Sequence, residues 1–351
     1  MNDALTCMDE YTSIEETEAV MKDNILGTLY GMAVGDALGM PSELWSRRKV
    51  KAYFGVITDF LDGPDENEVA RHFKKGQFTD DTSQALVILD ALVENDFTPD
   101  TRIIARRLID WADQHDAFHN EVLGPSSKAS LEAIKEGKDA QLYTRKAETN
   151  GAAMRIAPVG CLFSRKQKEA LVQYVYEVSR VTHETDVAIS GAAMIAAAVT
   201  AALEDCDWDT IMQDALDVFD IAAGYGAETY SASLSARLKL ALDLARQYRD
   251  DAEAFSQAIY DVIGCGVLTS ESVPAALAMA YYAREPHRCG LMCANLGGDT
   301  DTIGAMATAI CGAKAGIRGI DSEWIDVIDQ CNDINFFAYA DVILSKREQV
   351  Q

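Results

Sequence analysis

The chain has 351 residues, 48% of them hydrophobic, and a formal net charge of −25. Its size and hydrophobic fraction are ample for a core, and no linker or charge block divides it, so we expect one domain over residues 1–351, with 1–23 as a polar N-terminal extension. The acidic charge and the lack of a Lys/Arg cluster argue against binding to nucleic acid.

The hydrophobic periodicity is helical along most of the chain. Apolar residues recur at spacings of three and four, which predicts helices over 24–38, 83–93, 103–111, 187–203, 231–245, 273–282 and 303–317. Residues 56–60, ahead of an Asp-Gly-Pro-Asp turn, suggest a short extended piece. Since no repeat of solenoid length is present, the pattern predicts an all-α fold, a compact orthogonal multi-helix bundle.

The sequence indicates neither a signal segment nor a membrane span. The first 24 residues are polar and acidic, and the longest apolar run, 189–203, is short and alanine-rich. Eight cysteines lie scattered in mostly apolar surroundings, which is typical of reduced, buried thiols. Cys289 and Cys293 are spaced i, i+4, but no second cysteine pair completes a soft-metal site. We expect a cytoplasmic protein.

Glycine occupies every fourth position of one stripe on the first predicted helix. The members of the stripe are Gly27, Gly31, Gly35 and Gly39. Close approach of a second helix is the usual compensation for the roughly 1 kcal/mol that each glycine costs relative to alanine. Because the helix runs into Asp36 and then Pro41-Ser42-Glu43, a second interpretation is that it directs acidic side chains to a site.

Two short acidic segments near opposite ends of the chain carry the strongest chemical signal. One is Thr79-Asp80-Asp81-Thr82, and the other is Asp299-Thr300-Asp301-Thr302 after Gly297-Gly298, each directly before a predicted helix. Each segment alone could simply cap its helix, because Thr and Asp are good N-caps and acids favour the helix dipole. Together they offer hard oxygen ligands of the kind that Mg²⁺ or Mn²⁺ selects. We predict two helix starts that face each other across two cations.

Three further segments suit an oxygen-rich ligand. Asn150-Gly151-Ala152-Ala153-Met154-Arg155 and Val122-Leu123-Gly124-Pro125-Ser126-Ser127-Lys128 place small residues where backbone N–H groups can approach phosphate or sugar. His183 precedes an alanine-rich helix and could face a cavity. The alternatives are ordinary turns and a histidine that is satisfied within the structure.

In this order, the motifs resemble the ADP-ribosylglycohydrolase family, which includes the dinitrogenase reductase-activating glycohydrolase and the ADP-ribosyl-acceptor hydrolases. The resemblance covers residues 24–317 and rests on the series Gly35-Asp36-Ala37-Leu38-Gly39 with Pro41-Ser42-Glu43, Gly76-Gln77-Phe78-Thr79-Asp80-Asp81-Thr82, Asn150 to Arg155, Thr182-His183 and Gly297 to Thr302.

The resemblance implies an all-α fold with a central cleft that holds two Mg²⁺ or Mn²⁺ ions. The implied metal ligands are Thr79, Asp80, Asp81, Asp299, Asp301 and Thr302. In that family the ions bind the hydroxyls of the ribose whose anomeric bond is cleaved, and loops hold the diphosphate and nucleoside. The matching substrate-binding residues are Gly124, Ser126, Asn150, Gly151, Met154 and His183.

Glu43 resembles the glutamate that handles the attacking water in one branch of the family, so it is the catalytic candidate. The alternative is a surface glutamate at a helix end. Two departures stand out: Val122, beside Glu121, occupies the place of an acidic residue of the arginine-directed branch, and Lys128 that of a frequent arginine. They put arginine-linked ADP-ribose in doubt as the substrate.

Three hypotheses follow from the sequence. The first is a Mg²⁺- or Mn²⁺-dependent hydrolase that releases ADP-ribose from a modified protein or small conjugate. The second is an N-glycosidase of a smaller ribosyl or nucleoside-like compound with the same metal centre. The third is a non-catalytic ligand-binding or structural member of the family, and the presence of all six implied metal ligands counts against it.

Overall fold

A computed structural model describes residues 2–120 and 122–350, with side chains described within 16–120 and 122–347. Most of the described part of the chain is helical, and its only β-type pairings are three isolated bridges. The helices are α1 (Asn2–Gly39), α2 (Arg47–Phe54), α3 (Asp80–Glu94), α4 (Thr101–Gln114), α5 (Pro125–Lys135), α6 (Gln141–Thr144), α7 (Ala157–Gly160), α8 (Lys168–Ser179), α9 (Asp186–Leu203), α10 (Trp208–Ala222), α11 (Leu234–Gln247), α12 (Ala252–Ala258), α13 (Thr269–Ala283), α14 (Pro286–Ala294), α15 (Thr300–Ala315), α16 (Ser322–Cys331) and α17 (Phe336–Val350).

Helices α1 and α15 form the most extensive helix pair among the described residues. The glycine stripe of α1 faces the α15 backbone, and a Cβ on Gly35 would lie less than 3.0 Å from the Gly304 carbonyl. Gly304 and Gly312 of α15 likewise face the carbonyls of Gly35 and Gly27. The close-packing interpretation of the stripe is thus confirmed, and it brings the start of α15 against the end of α1.

Helix α9 lies in the centre of the core. Its residues from Val187 to Leu203 are all buried, and small alanines let α10, α13 and α15 pack around it. By length and composition it is the one helix of the described residues that could cross a membrane, but 94% of it is buried inside the protein.

The all-α prediction is confirmed, and all seven predicted helices are present; apart from the start of α1, their ends differ by a few residues. Helix α1 begins at Asn2, so residues 2–23 continue it rather than precede it. The prediction of an extended piece at 56–60 is wrong. These residues form an irregular connection, in which the Asn295 side chain hydrogen-bonds to the Ile57 backbone. The seven cysteines with described side chains are free thiols, and Cys7 lies outside that set.

Candidate metal centre and substrate cavity

The end of α1 and the start of α3 are joined by the buried carboxylate of Asp36. Its Oδ1 accepts hydrogen bonds from the Thr79 backbone N–H and hydroxyl, both at 2.9 Å. Its Oδ2 accepts from the Thr82 N–H at 3.0 Å and hydroxyl at 2.6 Å. Asp36 therefore accepts hydrogen bonds from N–H groups at the start of α3 that an N-cap side chain usually satisfies. The hydroxyl of Thr79 is not needed to cap the helix.

The Thr79 hydroxyl lies among carboxylates. Besides Asp36, it is 3.2 Å from Asp81 Oδ2 and 3.4 Å from Asp301 Oδ2. Asp80, the first residue of α3, points along the helix and accepts a 2.7 Å bond from the Gln84 amide. The first acidic segment is thus a helix start, as predicted, but its Thr79 side chain does not cap the helix.

The second acidic segment leaves a turn that only glycine adopts easily. Gly297 and Gly298 have φ of +83° and +87°, a region that side chains disfavour. A Cβ on either would also collide with the backbone of Arg47 or Cys265. Asp299 follows this turn and is the N-cap residue of α15. Its Oδ2 accepts a 2.6 Å hydrogen bond from the Asn150 amide.

The same turn holds the segment that carries Glu43. The Leu44 N–H donates to the Gly298 carbonyl at 2.7 Å, and the Gly298 N–H donates to the Trp45 carbonyl at 2.8 Å. The Asn67 amide donates to the Glu43 carbonyl at 3.0 Å. Leu44 has a φ of 56°, an uncommon value for a non-glycine residue. Glu43 is half-buried and directs its carboxylate to the second acidic segment, so it is not a surface glutamate.

The carboxylates form two groups that share one member. Asp36, Asp81 and Asp301 have ligand oxygens within 4.8 Å of one another, and so do Glu43, Asp299 and Asp301. Asp81 Oδ1 and Asp301 Oδ1 are buried and have no hydrogen-bond partner. A buried carboxylate oxygen without a donor is costly, and a cation would satisfy both.

The pKa values of these acids are raised, which shows that their negative charges are unfavourable without a cation nearby. Burial, followed by the neighbouring carboxylates, raises the pKa of Glu43, Asp81 and Asp301 well above the usual range. Burial raises the pKa of Asp299 to about 6, although the Asn150 hydrogen bond opposes the shift. Burial and repulsion from Asp36 and Asp299 raise that of Asp80 to about 8. This donor set, all carboxylates and hydroxyls, fits hard divalent cations.

The implied ligands outside the two carboxylate groups are also nearby. Thr302 lines the same cavity as Asp81, Asp299 and Asp301. Asp80 belongs to neither group of three, but its side chain lines that cavity as well. The structure therefore brings all six implied metal ligands to one place.

A cavity of about 190 Å³ opens over the acidic groups. Of the residues implied for substrate binding, those that line it are Gly124, Asn150, Gly151, Met154 and His183. Ser126 does not line it: its hydroxyl accepts from Thr149, and Thr149 and Ser127 line the cavity instead. Lys128 is not among the lining residues either. Glu121 lies outside the described residues.

His183 lines this cavity with an uncharged imidazole ring. Its ring nitrogens lie 2.8 Å from the Thr182 hydroxyl and 3.0 Å from the Thr149 hydroxyl. Burial, helped by the charge of Arg155, lowers the pKa of His183 to about 3. A Cβ on Gly151 would come within 2.6 Å of the ring. Both the structural and the cavity-facing interpretations of this histidine therefore hold.

Two residues of the site, Asp36 and Arg155, are absent from the implied metal ligands and substrate-binding residues. The glycine stripe did suggest that its helix directs Asp36 to a site, and a carboxylate oxygen of Asp36 lies within 4.8 Å of ligand oxygens of Asp81 and Asp301. Arg155 is buried and bonds the Gln84 and Thr182 side chains, and Gln84 in turn holds Asp80. Burial lowers the pKa of Arg155 to about 10, so the guanidinium stays charged beside Asp80 and Asp81. Only the fold reveals that link.

The fold is shared with a solved structure described as an ADP-ribosylglycohydrolase-related protein complex. The TM-score is 0.69 at 21% identity, and the match covers 93% of this chain and 99% of that one. The family model for ADP-ribosylglycohydrolase matches residues 17–350, and the chain therefore belongs to the ADP-ribosylglycohydrolase family.

Two relatives show the range within that family. The uncharacterized protein YegU of Escherichia coli K12 is 46% identical over 93% of this chain and 98% of its own length. The ADP-ribosylarginine hydrolase Tri1 of Pseudomonas putida is 26% identical over 87% of this chain and 74% of its own length. The family expectation from the motifs is thus confirmed, and the chain is a member of a family of hydrolases that act on glycosyl bonds.

Proposed function

We propose that this protein is a Mg²⁺- or Mn²⁺-dependent glycohydrolase that cleaves the anomeric bond of an ADP-ribosyl conjugate. The observation that supports the proposal is the pair of acidic groups that share the buried Asp301, one of which includes the half-buried Glu43. Membership of the ADP-ribosylglycohydrolase family supports the ADP-ribosyl part of the substrate.

The two helix starts would hold two ions. The proposed ligands are Thr79, Asp80, Asp81, Asp299, Asp301 and Thr302, with Asp36 beside them. Bound cations supply positive charge that offsets the carboxylates and polarises ribose hydroxyls. The backbone around Gly124 and Gly151, with Ser126, Asn150, Met154 and His183, would position the rest of the substrate above them.

Glu43 would position the attacking water and exchange protons with it. Its backbone is fixed by the Leu44–Gly298 and Asn67 hydrogen bonds, so the carboxylate has a defined direction. In the reaction the water oxygen bonds to the anomeric carbon, the bond to the leaving group breaks, and a proton passes to that group. The raised pKa of Glu43, caused first by burial, suits a group that gains and loses a proton.

A panel of ADP-ribosyl conjugates, assayed with Mg²⁺, with Mn²⁺ and with chelator, tests the proposal. Asp299→Ala and Asp81→Ala should abolish hydrolysis and remove the metal-induced rise in Tm, whereas the exposed Asp326→Ala serves as the matched control. Glu43→Gln should lose turnover but keep the metal response, with exposed Glu132→Gln as its control. Metal-independent turnover of every conjugate would refute the metal role, and full turnover by Glu43→Gln would remove that residue from the mechanism.

A second candidate is an N-glycosidase of a smaller ribosyl compound. The cavity over the acidic groups, at about 190 Å³, is smaller than a typical ligand site of roughly 300–1,000 Å³. No Lys or Arg is among its described lining residues. Calorimetry with ADP-ribose, ribose and nucleosides in the presence of Mg²⁺ separates the two candidates, because absent ADP-ribose binding would favour the smaller substrate.

The proposed location is the cytoplasm. The seven described thiols are free, and unpaired cysteines are typical of a reducing compartment. Fractionation of cells that produce the tagged protein would test this location.

A further inference from the structure

A second and larger cavity adjoins the acidic groups. It has a volume of about 530 Å³, and Val69, Asp80 and Val122 line both this cavity and the smaller one. We propose that this larger cavity, which we call the ring cavity, binds the leaving group, and that this group is a neutral, planar heteroaromatic ring. The inference rests on the proposed function and specifies the substrate class of the same site.

Helix α3 connects the two cavities. It starts with Asp80 at the acidic groups, and Ser83, Val87 and Asp90 follow along the lining of the ring cavity. Their spacings of three, four and three place all four on one face of the helix. A sugar held over the acidic groups can therefore place the substituent on its anomeric carbon in the ring cavity.

The lining of the ring cavity suits a flat ring. Four of its nineteen lining residues are Phe, Tyr or Trp, although these types make up 8% of the chain. They are Phe73, Phe78, Trp111 and Tyr339, and they come from the α2–α3 connection, α4 and α17. Aromatic side chains give large contact areas and stack with planar partners.

Two polar groups on the α3 face of the cavity, Ser83 and Asp90, have oxygens that can accept hydrogen bonds. Tyr339 donates to Asp90 Oδ1 at 2.9 Å, which leaves Oδ2 for a ligand. Burial raises the pKa of Tyr339, so its phenol keeps the proton that it donates. Ser83 donates to the Thr79 carbonyl at 2.7 Å and keeps its lone pairs free. A ring that carries an N–H donor matches these acceptors, and an anionic group would meet carboxylates with no Lys or Arg among the described lining residues to offset them.

A guanidinium leaving group fits less well. Where the cavities meet, Val69 and Val122 present apolar surface next to Asp80. The carboxylates of Asp80 and Asp90 would offset part of the charge of a guanidinium, but such a group fills little of 530 Å³ and makes less contact with the aromatic lining than a ring does. In the reaction that follows, the ribosyl C–N bond breaks, a water oxygen bonds to the anomeric carbon, and one proton of that water passes to the ring nitrogen, or to solvent where the bonded ring is a pyridinium.

Binding of free leaving-group analogues tests the ring cavity without hydrolysis. We would use saturation-transfer NMR on the full chain with nicotinamide, with the non-planar cyclohexanecarboxamide, and with L-argininamide. Nicotinamide should bind at least tenfold more tightly than the other two. The Val87→Phe change, which adds a ring to the cavity wall formed by α3, should weaken nicotinamide binding at least tenfold, whereas Val93→Phe, at an exposed position of the same helix, should not.

The same titration with Asp299→Ala in chelator separates this inference from the proposed function. Ring binding should persist there, because Asp299 does not line the ring cavity. If wild type hydrolyses no conjugate but binds nicotinamide in the Val87-dependent way, only the proposed function fails. If conjugates are hydrolysed but nicotinamide binding is absent, or unchanged by Val87→Phe, the ring-cavity inference is overturned alone. Equal or preferred binding of L-argininamide overturns it as well.

Discussion

The contact between Gly39 and α15 leads to a sharp prediction for Gly39→Ala. A Cβ at this position would lie less than 3.0 Å from the Thr300 carbonyl and the Asp301 N–H, which are backbone atoms that cannot rotate away. An ordinary contact of 3.4 Å would require the two helices to separate by about 1 Å at this point. Because Asp301 is common to both acidic groups, the displacement acts directly on the proposed metal centre.

The expected magnitude combines two opposing effects. Overpacking costs about 1–3 kcal/mol, and the better helix propensity of alanine returns up to about 1 kcal/mol. The net loss of about 1–2 kcal/mol corresponds to a few degrees in Tm for a chain of this size. Metal binding should weaken at least tenfold, which removes about 1.4 kcal/mol of stabilisation at saturating metal.

Differential scanning fluorimetry with and without Mg²⁺ or Mn²⁺ measures both effects. Gly27→Ala meets the α15 backbone at the far end of the same stripe, so it should lose stability but keep the metal-induced rise in Tm. Gly224→Ala is the open control, since a Cβ there has no neighbour nearer than 3.8 Å. If Gly39→Ala has the stability and metal response of wild type, this helix contact does not position the metal centre. The same conclusion follows if Gly27→Ala loses the metal response as much as Gly39→Ala does.

Three further predictions concern charge and strain. Asp80 and Asp299 have raised pKa values of about 8 and about 6 in the fold, so the folded state binds more protons than the unfolded chain. The metal-free protein should therefore lose stability as pH rises from about 4 to about 8. Thermal melts at several pH values measure this dependence, and Mg²⁺ should flatten it. Asp36→Asn puts an amide where four donors point, so it should cost about 2 kcal/mol in urea unfolding and reduce the metal response; wild-type behaviour would contradict this role. Leu44→Val, β-branched at a φ of 56°, should lower kcat, whereas Leu44→Gly should retain it; equal rates would show that this backbone does not position Glu43.

The sequence predicts the fold class because its largest helices are periodic over many residues. Helices such as α9 and α15 are long and buried, so apolar residues mark them clearly. The short helices α6 and α7 have four residues each and too little pattern to detect. The irregular path of 56–60 depends on Asn295, far along the chain, which no local pattern contains.

Some residues of the candidate site could likewise be predicted from the sequence, and others could not. The two acidic segments are visible because their chemistry is contiguous in sequence. Asp36 is different: its function comes from hydrogen bonds to residues 43 and 46 positions later. Ser126 shows the converse, because a residue of suitable type points to Thr149 rather than into the cavity. Sequence identifies the donor types, while the fold decides which of them converge.

The glycine stripe explains how a site assembled from both ends of the chain can be rigid. Each acidic segment begins a helix, but α3 is fixed by Asp36 of α1 and α15 by backbone contact with the same helix. The Thr300 hydroxyl donates to the Gly39 carbonyl at 2.8 Å and accepts from Ser42, just before Glu43. The proposed metal ligands and the proposed catalytic carboxylate therefore share one frame, the end of α1. Because burial and their neighbours raise the pKa values of Glu43, Asp81 and Asp301, these carboxyl groups retain protons in the metal-free protein, and a bound cation would displace them.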